Sequence, residues 1–114
     1  MSSASPPPLP SQYGVERVVA IPRDSQRLFV LWEITADGVD AAKASLGSAA
    51  AHATLRLRLT DELGETHEEV VGDWIAQRTV GGLRPRGCYV AAIGWCGGDC
   101  FAPVASSLPA ELPG

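Results

Sequence analysis

The densest group of chemistry-bearing residues in the chain is Cys96-Gly-Gly-Asp-Cys100. Two thiols at this spacing suit half of a zinc site or a dithiol redox pair. A structural zinc site needs four ligands, usually in two short-spaced pairs. The further nitrogen and sulfur candidates are Cys88, His52 and His67. Cys88 and Cys96 fall on one strand-like run, and a regular strand would hold them about 26 Å apart. One metal cannot bridge that gap, and no cofactor is expected. Cys96 and Cys100 could approach disulfide distance across a hairpin. The plainer reading is small apolar side chains in a reduced protein. Hydrolysis would need a nucleophile, a base and an orienting acid. His52 follows a helix-like run, His67 sits in a polar edge, and there is no Gly-x-Ser-x-Gly elbow. The glycines form neither a phosphate loop nor a dinucleotide fingerprint. The chain is therefore read as non-catalytic.

Binding chemistry is better represented. Arg56 and Arg58 point to one strand face, and Trp74, Tyr89 and Trp95 supply aromatic area. Tyr89 and Trp95 share the strand parity opposite to Cys88 and Val90, so they are expected to form an exposed platform. Arginines beside exposed aromatics suit an acidic peptide, another subunit or a sugar. For a sugar, Glu33 or Asp99 would bond the hydroxyls. The competing reading is a solvated arginine face over core aromatics. Glu33 ends the apolar run RLFVLWEI, where an unpaired carboxylate is costly to bury. Pairing with Arg17 or Arg56 on a neighbouring strand would remove most of that cost. A structural ion pair of Glu33 with Arg17 is expected.

Several elements must position these residues. RVVAI (17 to 21), stopped by Pro22, reads as a first strand, and RLFVLWEI as a second. Leu28, Val30, Trp32 and Ile34 form one face of the second strand; Phe29, Leu31 and Glu33 form the other. Both faces are apolar except at Glu33, which predicts cover on both sides. TADGVDAAKASLG predicts a short helix with Thr35 as N-cap, Asp37 in the first turn and Gly47 as the stop. This helix is expected to bury Phe29 and Leu31. ATLRLRLTD alternates, with Leu55, Leu57 and Leu59 facing inward. THEEVV (66 to 71) reads as an edge strand, WIAQRTV (74 to 80) as another strand and CYVAAIGWC (88 to 96) as a second central strand. CFAPVASS (100 to 107) returns after a tight glycine turn.

The chain has 114 residues, 46% hydrophobic and 19% charged, which suits one folded domain. Its net charge of -4 argues against a nucleic-acid partner. Three cysteines and no charged, apolar leader point to a cytoplasmic location. No apolar run reaches the roughly 20 residues of a membrane span.

The stretch YGVERVVAIPRDSQRLFVLWEI places Tyr13, Gly14, Arg17, Arg23, Asp24, Trp32, Glu33 and Ile34 in a pattern that resembles the opening signature of the domain of unknown function 4912 family, a bacterial group. LRLRLTD, DWIAQ, RGCYVAAIGW and FAPVASS resemble its later segments. Leu59 stands where an aromatic residue is frequent, and Ala105, Ser106 and Ser107 depart from an Ala-Arg-Ser-Asn ending. The resemblance spans about residues 13 to 107. It implies a compact β-rich domain, sometimes attached to other modules, and carries over no catalytic residue.

These readings converge on a mainly β chain: an antiparallel β-sandwich of six or seven strands with one short helix after the second, or else a small barrel. The family resemblance implies, by analogy of fold, that the sandwich is immunoglobulin-like. It is expected to occupy residues 13 to 107, between a disordered Pro/Ser-rich leader (1 to 12) and a flexible tail (108 to 114). The expected role is a non-catalytic protein-interaction or assembly module in a bacterial cytoplasmic complex, with a protein partner or self-association. The edge at 66 to 71 and the PPPLP leader are the expected contact elements. The alternative is a carbohydrate-binding module with an aromatic platform, and after it a thiol redox or metal-binding protein.

Overall fold

The computed structural model describes residues 16–98 and 100–114; the leader and Asp99 lie outside the described residues. Among the described residues eight strands form: β1 Arg17–Asp24, β2 Arg27–Glu33, β3 Thr54–Asp61, β4 Thr66–Val70, β5 Ile75–Val80, β6 Cys88–Gly97, β7 Cys100–Ser106 and β8 Ala110–Glu111. One α-helix, α1 (Ala36–Leu46), follows β2 and runs into a 3-10 segment, Gly47–His52. The strands make two antiparallel sheets. One is three-stranded, in the order β1-β2-β5. The other is five-stranded, in the order β4-β3-β6-β7, with β8 also paired to β6.

Alternation decides which side chains meet between the sheets. Leu28, Val30 and Trp32 of β2 are buried on one side. Leu55, Leu57 and Leu59 of β3, with Tyr89, Ala91 and Ile93 of β6, join them in one core cluster. Each large apolar side chain buried this way contributes about 1.5–3 kcal/mol. Trp32 is the largest fully buried side chain, and its Nε1–H donates to the Asp73 carbonyl at 2.9 Å. That bond satisfies the one polar atom that this indole carries inward.

Local signals account for α1. The Thr35 Oγ1 accepts the Gly38 N–H at 3.1 Å, and Asp37 sits in the first turn. Gly47 ends the helix at φ 60°, a left-handed value that a side chain resists. The location of α1 is not the one expected. It packs on β7 and β6, burying Val39 and Ala42, and does not cover Phe29 and Leu31. No helix among the described residues is long and apolar enough to cross a membrane.

Three further expectations need correction. Pro22 does not stop β1, which runs on to Asp24 with a register irregularity between Pro22 and Asp24. β1 is an edge strand, where a missing N–H can face away from the ladder. Residues 108 to 114 are not a free tail. β8 pairs with Cys88 and Tyr89, Leu112 is fully buried, and its N–H donates to the Gly87 carbonyl at 2.9 Å. Ser107 bridges the break between β7 and β8. Its N–H donates to the Ala91 carbonyl, and its Oγ accepts the Ala91 N–H.

Tyr89 is the third. It is 5% exposed and belongs to the core, so it offers no platform. Its Oη accepts the Arg84 N–H at 2.9 Å. A tyrosine that opens a strand and holds backbone a few residues upstream is the corner brace of many β-sandwiches. Odd positions of β6 face inward because Ala91 and Ile93 must fill the space against β2.

Two measurements check these packing claims. Tyr89→Phe should keep the fold and lose about 1 kcal/mol in urea unfolding, the net worth of the hydroxyl bond. Leu112→Ala should cost about 2–4 kcal/mol. A value near zero there would mean that the closing strand is not part of the core.

Candidate functional site

The strict alternation that buries Leu28, Val30 and Trp32 sends Phe29, Leu31 and Glu33 to the opposite side of the three-stranded sheet. Register brings matching residues beside them. Val19 pairs with Leu31, Ile21 with Phe29, and Ile75 with Glu33. The result is an apolar outer face in which Val19 is 37% exposed, Ile21 46% and Ile75 69%. Most apolar residues at that exposure occur singly, whereas these lie together on one sheet face.

Charged groups close both ends of the strip. At one end Arg17 and Glu33 are direct cross-strand partners, with Arg17 Nε 3.6 Å from Glu33 Oε1. Arg17 remains more than half exposed while Glu33 is buried. Leu31, Gln77 and Ile75 surround this pair in an open hollow of about 270 Å³. At the other end Asp24 and Arg27 are paired, with Arg27 Nε donating to Asp24 Oδ2 at 2.6 Å. That bond and the Gln26 N–H hold the Asp24 carboxyl below its ordinary range. The Arg23 guanidinium lies 5.9 Å from the centre of the Phe29 ring.

The other residues read as binding candidates are scattered. Arg56 and Arg58 do project from the outer face of β3, but both are engaged by Glu68, at 3.1 and 2.5 Å. Arg58 also lies 4.1 Å above the Phe101 ring. That ring spans Gly94, where a Cβ would come within 2.9 Å of it. Trp95 is half-buried against the core, with the Lys43 ammonium 4.3 Å from its ring centre. Its Nε1–H is buried without a hydrogen-bond partner among the described residues. Trp74 is 40% exposed in the loop that leads into β5 of the three-stranded sheet, whereas Tyr89 and Trp95 belong to the five-stranded one. Tyr89, Trp95 and Trp74 therefore do not make one aromatic platform. Cys88, Cys96 and Cys100 are unbonded, and Cys96 is buried while Cys100 is exposed.

Two carboxylate clusters tie the domain together elsewhere. Glu69 of β4 receives Arg78 of β5 at 2.5 Å and so links the two sheets. Burial would raise the Glu69 carboxyl, yet Arg78 and His67 together hold it below the ordinary range. Glu68 is likewise raised by burial and lowered further by Arg58 and Arg56. Asp61 closes the β3–β4 turn, accepting the Leu63 and Glu65 N–H groups at 2.9 Å on one oxygen and Arg84 on the other. Burial pushes its carboxyl up, but the two amides and the guanidinium outweigh that and hold it low.

The outer face was missed at the sequence level because Phe29 and Leu31 were assigned a covering helix. The usable signal lay in β1 and β5, where Val19, Ile21 and Ile75 continue the same apolar face.

No family model and no curated protein matches the chain. Among solved structures it is similar to the FN5 domain of Drosophila Lar, at 16% identity and a TM-score of 0.56. That alignment covers 89% of this chain and 97% of the other. A myokine structure aligns at 11% identity and a TM-score of 0.48, covering 88% and 95%. The likeness to the FN5 domain concerns the fold: mainly β, with antiparallel sheets and, among the described residues of this chain, one α-helix.

The Asp61 cluster gives a pH dependence with a definite sign. A carboxyl lowered by folding adds stability that is present above its unfolded value, ordinarily 3.8, and is lost as pH falls through the lower folded value. The urea midpoint should therefore fall in acid, below about pH 4. Asp61→Asn should be less stable at neutral pH and show a flatter acid limb. Parallel acid limbs for the two proteins would remove Asp61 from this role.

Proposed function

We propose that this chain is a non-catalytic protein-interaction module of immunoglobulin-like sandwich fold. Its sheet order, with three strands facing a sheet led by β4-β3-β6-β7, supports the sandwich reading. The docking surface is the outer face of the three-stranded sheet, and the occupant is a protein surface with an apolar centre and charged ends. A single observation carries this reading: Val19, Ile21, Phe29, Leu31 and Ile75 line an apolar face that the helix leaves open. The edge at β4 is less suited to docking. Glu68 and Glu69 are spent on arginines there, and charged side chains discourage strand addition. The resemblance of residues 13 to 107 to the domain of unknown function 4912 family, and with it a place in a bacterial cytoplasmic complex, belongs to the same proposal.

The test compares the tagged chain with an Ile21→Glu/Ile75→Glu double variant in native lysate at low salt. Both substitutions fall on exposed positions, so circular dichroism should show an unchanged fold. The wild-type chain should retain a stoichiometric protein that the variant retains about tenfold less. Equal recovery of a partner by both proteins, or recovery of monomer alone by a wild-type chain that also stays monomeric when concentrated, would remove the interaction reading.

A further inference from the structure

We infer that the occupant of this face is a second copy of the same chain, laid against it face to face with the strands of the two copies antiparallel. The inference rests on the interaction reading above and names its partner.

The argument is self-complementarity. In register, one end of the face carries Arg17 and Glu33 and the other carries Asp24 and Arg27. Between them lie Val19 beside Leu31 and Ile21 beside Phe29. A two-fold axis in the plane of contact, crossing the strands midway between those two apolar rows, exchanges the ends. Arg17 then faces the partner's Asp24, and Glu33 faces the partner's Arg27. Val19 covers the partner's Ile21, and Leu31 covers the partner's Phe29. Each of these four charges meets its opposite, and the two apolar rows of β1 and β2 meet each other; Arg23 and Ile75 lie outside this set of contacts. A two-fold axis along β2 would instead lay Glu33 on the partner's Glu33 and Arg27 on the partner's Arg27, which repel. The hollow beside Arg17 has Glu33 at its wall and is open to solvent, so it can receive the partner's Arg27 side chain. No hydrogen bond reaches the Glu33 carboxylate among the described residues, and its arginine neighbour stands at 3.6 Å. Arg23, which leans over Phe29, swings aside on contact.

Two constraints favour this face over an edge and set its strength. β1 carries Pro22 and a register irregularity, features that blunt an edge against strand pairing. Packed sheets lie about 10 Å apart and cross at about 30°, which leaves room for both side-chain layers. Three strands of six to eight residues span only about 300–400 Å² of plane per copy. That is below a standard interface, so the dimer is weak and reversible.

Sedimentation of the purified full chain across concentration should show a monomer–dimer equilibrium. Glu33→Arg alone and Arg27→Glu alone should each weaken it by about tenfold or more. An equimolar mixture of these two variants should associate again, because each mixed pair restores both opposite-charge contacts. Simple destabilisation gives no such rescue. If Glu33→Arg does not fold, exposed positions serve instead. Val19→Cys mixed with Ile21→Cys, treated with a short bis-maleimide and mapped by mass spectrometry, should link 19 to 21 across copies in preference to 19 to 19 or 21 to 21. A chain that stays monomeric up to about 1 mM, a mixture without rescue, or indiscriminate linking would overturn the inference. Monomeric protein that still captures a lysate partner through Ile21 and Ile75 would leave the interaction reading standing; loss of both results would remove the two together.

Discussion

The packing of β2 against β3 and β6 is the interaction on which the rest of this structure depends. Trp32, Leu28 and Val30 fill the space between the sheets, opposite three leucines of β3 and the small and branched residues of β6. Side chains of a strand alternate strictly, so burying one set commits its neighbours to the other side. With Trp32 inside, Leu31 and Glu33 are outside, whatever their own preference. The apolar outer face is thus a consequence of core packing and not a separate design. A slip of one residue in β2 would bring Glu33 into the core and put Trp32 in water, which makes the register hard to change.

Charged groups are used where apolar packing cannot reach. The two sheets meet along the β4 and β5 edges through Glu69 and Arg78, and the β3–β4 turn is held by Asp61. Glu68 binds two arginines of β3 and keeps them down on their own sheet. These arrangements lower the carboxyl pKa values and favour the charged, folded form at neutral pH. They also explain why the arginines of β3 make a poor docking surface: their charge is already answered. On the three-stranded sheet the balance differs. Arg17 is largely exposed and reaches Glu33 only at long range, so the charge at that end of the face is still open to a partner.

Helix placement completes the asymmetry. α1 leaves β2 at Thr35 and settles on the five-stranded sheet, where Val39 and Ala42 are buried and Lys43 lies over Trp95. The same chain segment could not also shield the far side of the three-stranded sheet. Among the described residues, that layer has two apolar faces and one packed neighbour. Val19, Ile21 and Ile75 on its outer face stay exposed.

Much of the secondary structure was legible in residue order. Alternation in RLFVLWEI and ATLRLRLTD, the Thr35 cap and the Gly47 stop are local signals, because a strand's period and a helix end are set by neighbours a few residues away. The facing of Arg17 and Glu33 was also readable, since both close apolar runs on consecutive strands. What residue order left open was every question about which layer lies over which face. Tyr89 and Trp95 have the same parity whether that parity faces solvent or core. Only the closing of the core cluster put Tyr89 inside, and α1 packed on β6 and β7 and left Phe29 and Leu31 without helix cover. Leu112 looked like part of a tail because nothing local distinguishes a short closing strand from a loose end. Those outcomes depend on long-range burial, in which free energy is gained only when distant segments meet, and the tertiary structure alone decides which segments do.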